Sequence, residues 1–244
     1  RGTIMAKEPL VLAGMTVACQ VFDYLDQDIV FPVCLADGEA VDAGATVLEI
    51  TGRLATILKG ERTALNFLQH LSGIATLTRD WMTELQGTAT RLIDTRKTTP
   101  GLRVLEKYAV RVGGAANHRL GLFDGVLIKD NHIAACGGIS EAVTRTRKAA
   151  HHLIKIEVEV TDLDQVTEAV AAGADVIMLD NMDLKTIGEA VKQIDHQALV
   201  EVSGNITRDR LKDVAATGVD LISAGALTHS ARSVDLSMRV SGET

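Results

Sequence analysis

Residues 155–181 read KIEVEVTDLDQVTEAVAAGADVIMLDN, and their pattern decides the fold class. Ile156, Val158 and Val160 belong to a short β-branched strand, and the stretch 163–172 carries apolar residues at helical spacing with Gly173 as its stop. Residues 175–179 form a second, almost wholly apolar strand. Strands this uniformly apolar are buried on both faces, as in a parallel sheet covered by helices. Strand, helix and strand here make one parallel βα unit.

The same unit recurs on either side. Further strands are expected at 91–94, 125–129, 199–202 and 220–223. Helices are expected at 102–112, 140–150, 184–194 and 208–217, with a short one after Gly225 and a helical stretch at 61–87 before the series. Six such units fill an α/β barrel better than an open doubly wound sheet, which stays the alternative. The first sixty residues differ: strand character at 3–13, 28–33 and 46–58 surrounds a helix at 14–25. That is an α+β layer, so a smaller N-terminal domain is expected over 1–60 and the barrel over 61–231. The tail 232–244, with strand character at 234–240, is expected to return to the small layer.

Active sites of parallel barrels lie where the strands end. Here those ends are Asp94-Thr95-Arg96-Lys97, Lys129-Asp130-Asn131-His132, Asp180-Asn181, Ser203-Gly204-Asn205 and Ala224-Gly225-Ala226. Glu157 and Glu159 alternate with Ile156 and Val158, so both carboxylates face the barrel interior and need cations or a metal. Arg96, Lys97 and Lys129 are the candidate cations, and with Asp180 the pair suits ribose or Mg²⁺. Two strand–glycine–helix junctions, at Gly204 before a helix near Thr207 and at Gly225, suit a phosphate cradle; tight turning alone is the alternative. His118-Arg119 suits a carboxylate clamp, or else faces solvent. His70, His151, His152, His196 and His229 have no ligand spacing and read as surface or packing residues.

Charge points the same way. Residues 91–132 hold eight Lys or Arg against four Asp or Glu, a local +4 inside a chain of −7. Arg103, Lys107 and Arg111 in that segment read as a solvated helix face. The remaining cations suggest a site for a small, highly charged anion. The overall negative charge and 3% aromatics argue against nucleic acid. No apolar run approaches the roughly 18 residues of a membrane span. Cys19, Cys34 and Cys136 match no metal or redox spacing and fit a reducing, cytoplasmic setting.

With these residues in view, a family resemblance emerges. The strings GERTALN (60–66), DTRKTTPGLR (94–103), NHRL (117–120) and IKDNH (128–132) resemble quinolinate phosphoribosyltransferase. So do IEVEV (156–160), MLDN (178–181), EVSGNIT (201–207) and SAGALTH (223–229), in order and with the family's spacing. The resemblance implies an N-terminal α/β sandwich, an incomplete parallel α/β barrel, and a homodimer with active sites shared between subunits. Carried over by motif, Arg96, His118, Arg119 and Lys129 would bind the two carboxylates of quinolinate, with Arg62 reaching the partner's site. Lys97, Glu159 and Asp180 would handle phosphoribosyl pyrophosphate and Mg²⁺. Ser203, Gly204, Asn205 and Gly225 would hold its phosphate. Family members usually begin several tens of residues earlier, so the small domain is expected to be truncated. Three other readings stay open: a phosphoribosyltransferase for another aromatic acid, a barrel lyase forming a Schiff base on Lys129, and a non-catalytic dimeric binding protein.

Overall fold

The computed structural model describes residues 1–242; positions 243 and 244, the end of the expected returning tail, lie outside the described residues. The chain divides into two compact units. One holds Arg1–Asp80, Thr98–Ala115 and the segment from Leu227 onward; the other holds Trp81–Lys97 and Ala116–Ala226.

The first unit runs through β1 (Gly2–Ala6), β2 (Leu10–Val11), α1 (Met15–Leu25), β3 (Val30–Cys34), β4 (Ala40–Val41), β5 (Thr46–Thr51) and α2 (Leu54–Met82). A C-terminal strand, Leu236–Val240, pairs antiparallel with β1, giving a sheet in the order C-terminal strand, β1, β5, β3. Ile4, Leu48, Ile50, Phe22, Leu65 and Leu68 form its buried core. The strand expected at 46–58 stops at Thr51 and the helix begins at Leu54, seven residues before the expected start. Gly60, expected at the domain boundary, lies inside α2. A Cβ there would sit 2.6 Å from the Phe22 ring, so this glycine marks a close approach and not a break.

After α2 the chain forms β6 (Arg91–Ile93), part of the second unit, and then α3 (Arg103–Gly113). Helix α3 belongs to the first unit, where His70 Nε2 meets Glu106 at 2.8 Å and Arg79 donates to the Gly113 carbonyl at 3.0 Å. Lys107 is only 3% exposed, which corrects the solvated face expected for it. Helical spacing alone cannot tell a face against solvent from one against a neighbour.

The second unit continues with β7 (Val126–Ile128), α4 (Asp130–Cys136), α5 (Ile139–Ala149), β8 (Ile156–Val160), α6 (Leu163–Ala171) and β9 (Val176–Asp180). It ends with α7 (Leu184–Ile194), β10 (Leu199–Ser203), α8 (Leu211–Ala216), β11 (Leu221–Ser223) and the start of α9 (Ala226–His229). Six parallel strands lie in the order β6, β11, β10, β9, β8, β7. Residues from all six line one interior cavity, which requires the sheet to wrap round it. The described residues show no β6–β7 ladder, so the barrel is incomplete, with a single bridge from Ile93 to Ala116 at that edge.

Candidate active site

The strand ends converge as their sequence suggests. A cavity of about 850 Å³ is walled by Thr95, Arg96 and Lys97 after β6, His118 and Arg119 before β7, and Lys129 after it. Glu159, Asp180, Asn181 and Ser203-Gly204-Asn205 complete the rim.

Asp94 fastens the His118 loop. Fully buried at the end of β6, it accepts the His118 backbone N–H at 2.8 Å and the Asn117 amide at 2.6 Å. His118 is then held at both ring nitrogens: Nδ1 accepts the Arg119 backbone N–H at 2.7 Å, and Nε2 stands 2.9 Å from Glu157 Oε2. Arg119 donates to the Gly125 carbonyl at 2.9 Å. Burial, and then the Arg96 charge, push its guanidinium below the usual arginine range, with Glu157 and Asp124 opposing. A cation so desolvated gains most from a bound anion.

Lys129 forms an ion pair with Glu159, one of the two interior glutamates. Both were expected to meet cations, with Arg96, Lys97 and Lys129 as candidates, or a metal. Glu157 instead meets His118, because β8 carries it deeper than the rim where Lys129 stands. Lys129 also opens α4, which was not foreseen; its backbone N–H donates to His132 Nδ1 at 2.9 Å. The string DNH after a strand reads as loop, but a His three residues on can cap a helix.

At the far rim, Asp180 accepts the Asn181 side-chain amide at 2.8 Å, and Asn205 donates to Asn181 Oδ1 at 3.0 Å. Asn181 and Asn205 have φ of 55° and 48°, and between them in space Gly204 has φ of 93°. A Cβ on Gly204 would meet Asn181 Oδ1 at 2.4 Å, so only glycine fits.

The expected phosphate cradle changes form. No α-helix begins at Thr207: a 3₁₀ turn at Arg208–Arg210 precedes the six-residue α8, and α9 has four residues. Helices this short add little dipole, so any anion seat rests on the turn Ser203-Gly204-Asn205. Gly225 stands two residues beyond Ser223, which lines the cavity, but is not itself in the wall. Arg62 is exposed on α2, in the first unit. Glu201 was missed. It lies on β10 two residues before Ser203, on the same face, and is 1% exposed; the period of two along Glu201-Val202-Ser203 was the available signal.

A parallel βα barrel with a cationic, glycine-edged cavity at its strand ends defines an enzyme-like binder of small polyanions. Comparison with known proteins narrows the class. The N-terminal domain of quinolinate phosphoribosyl transferase matches residues 1–72 and its C-terminal domain residues 74–239. The chain belongs to the quinolinate phosphoribosyl transferase family. It is 48% identical to a probable nicotinate-nucleotide pyrophosphorylase [carboxylating] of Bacillus subtilis, across 97% of this chain and 82% of the relative. NadC from Streptococcus pyogenes is 46% identical with a TM-score of 0.94, across 98% of this chain and 85% of that one. The nicotinate-nucleotide pyrophosphorylase from Francisella tularensis is 44% identical with a TM-score of 0.95, across 98% and 85%.

Proposed function

We propose that this chain transfers phosphoribose from phosphoribosyl pyrophosphate to quinolinate, releasing pyrophosphate and carbon dioxide and giving nicotinate mononucleotide, a precursor of NAD. The observation that carries this reading is the gathering of Arg96, Lys97, Arg119 and Lys129 with Glu159 and Asp180 round one cavity. Quinolinate and the donor bring many negative charges together, and the cationic wall offsets their repulsion. Arg96, Arg119 and Lys129 hold the two ring carboxylates. His118 completes that wall, with its ring held against Glu157.

Lys97 and the turn Ser203-Gly204-Asn205 hold the donor's phosphates. The ring nitrogen attacks the anomeric carbon as positive charge develops on the ribose. Glu159 and Asp180 face that charge, and such preorganised carboxylates can be worth about 3 kcal/mol. Ribosylation turns the ring into a pyridinium, which accepts the electron pair left when the 2-carboxylate departs. No protein nucleophile takes part.

Mg²⁺ fits this rim. Glu159 and Asp180 offer oxygen donors only, and Mg²⁺ takes one or two carboxylates together with substrate phosphates. When bound, it neutralises the departing pyrophosphate. The working form is a cytoplasmic homodimer, in which exposed Arg62 reaches the partner's site. The sparse, free cysteines suit a reducing compartment, and no described helix is long and apolar enough to cross a membrane.

The test is to mix the protein with quinolinate, phosphoribosyl pyrophosphate and Mg²⁺. Carbon dioxide and pyrophosphate should appear in equal amounts; absence of both sinks the reading.

A further inference from the structure

Below the cavity lies a buried cluster, His118, Glu157 and Glu201, whose two carboxyls have no task in the reaction proposed above. His118 Nε2 is 2.9 Å from Glu157 Oε2 and 3.8 Å from Glu201 Oε2. The three groups bring ligand-type atoms within 4.8 Å of one another. Glu157 is 6% exposed and Glu201 1%. Because His118 Nδ1 accepts the Arg119 N–H, the ring proton sits on Nε2 and points at Glu157. Glu157 therefore has a donor, while Glu201 lies farther from it.

Two adjacent buried carboxyls do not both ionise readily. Burial, and next the Glu157 charge, push the Glu201 carboxyl well above the usual carboxylate range. Ser223 on β11 and Lys129 beyond β7 pull the other way. Arg119, before β7, faces Glu157. Relative to a free carboxyl, Glu201 therefore favours its protonated form.

Glu201 also stands between two cavities. It lines the 850 Å³ cavity and a second one of about 360 Å³. The second is walled by residues at the opposite ends of the strands: Arg91, Val126, Lys155, Val176, Leu199 and Leu221. His118 and Arg119 line both cavities as well.

The inference rests on the reaction proposed above. When the ribosylated ring loses carbon dioxide, the bond from C2 to its carboxylate breaks and the electron pair stays on C2. One proton must be added there as that bond breaks, because the C2 anion otherwise recaptures the carbon dioxide. We propose that Glu201 is the general acid that supplies this proton. Its O–H bond breaks as the C2–H bond forms, leaving a carboxylate, which takes a proton back from water entering through the smaller cavity. Glu157 and the fixed His118 tautomer are positioning groups that keep the acid protonated between turnovers.

The test separates the two chemical events. Enzyme in excess is mixed with carboxylate-labelled quinolinate, phosphoribosyl pyrophosphate and Mg²⁺, and pyrophosphate and carbon dioxide are followed through one turnover. Glu201→Gln should release pyrophosphate within about threefold of the unaltered protein. Carbon dioxide should slow about a hundredfold, as expected for loss of a general acid, with the dicarboxylate nucleotide accumulating. Glu201→Asp, which retains an acid, should recover part of the rate. Equal slowing of both products, or slowing of neither, overturns the proposal. If Glu201→Gln fails to fold, the unaltered protein decides: heavy water should slow carbon dioxide release more than pyrophosphate release, and equal effects overturn the assignment. Failure of the unaltered protein to release either product indicts the parent reaction instead.

Discussion

At the scale of single residues, the site is a contest between desolvation and charge. Lys129 and Arg96 face the cavity at the ends of two strands, and neither belongs to the apolar core. Lys129→Ala and Arg96→Ala should each cut turnover at least about a hundredfold while leaving the fold intact. Steady-state rates with circular dichroism check this, and near-normal rates in either would contradict the site. Arg119 separates quinolinate from an acid with one carboxylate. Arg119→Ala should weaken quinolinate binding about tenfold to a hundredfold, the worth of a charge-assisted hydrogen bond. Unchanged quinolinate affinity, measured by calorimetry, would favour a substrate with a single carboxylate. Arg96 and Lys129 were legible because each closely follows an apolar strand run, and Arg119 because it stands beside His118 outside any strand. The His118 tautomer was not, since it depends on a ring nitrogen meeting the next residue's amide.

At the scale of elements, strand ends decide which backbone conformations are allowed. Gly204 closes β10 against Asn181 with a left-handed φ, so Gly204→Ala adds strain and a clash with backbone and side chain. A loss of about 1–3 kcal/mol is expected, with weakened binding of phosphoribosyl pyrophosphate. Urea denaturation and a donor titration measure the two effects. Strand β10 also carries Glu201 into the interior. Below its ordinary value of 4.5, folded and unfolded chains both hold the Glu201 proton. Above that value the unfolded chain releases it while the folded chain keeps it, so stability falls as pH rises until the folded carboxyl titrates. Glu201→Gln removes that slope, and the variant should gain stability relative to the parent as pH rises from about 4.5. Melting temperatures across pH read this directly; parallel curves would show that Glu201 ionises normally. The strand and helix order was legible from periodicity and from stops such as Gly173. Helix α4 was not, because its cap comes from His132 and not from one of the usual capping residues.

At the scale of the whole molecule, the first unit is assembled from three separate stretches of chain. Gly73 on α2 shows how closely they fit: a Cβ there would lie 2.1 Å from the Arg232 carbonyl oxygen. That neighbour is backbone and cannot swing aside, so Gly73→Ala should destabilise the protein by about 1–3 kcal/mol. It should also loosen the C-terminal strand, read as faster amide exchange at 236–240. Unaltered exchange and stability would mean that the tail is not seated as described.

What the chain determined by itself was local and periodic: the alternation of βα units, the smaller layer before them, and polar residues at the strand ends. These follow from apolar spacing and glycine stops, which act over a few residues. Only the folded structure decided that Gly60 lies within a helix, that Lys107 is buried, and that Glu157 meets His118, 39 residues away, and not a lysine. Burial and proximity set proton affinity and close packing, and both arise only when distant segments share one interior.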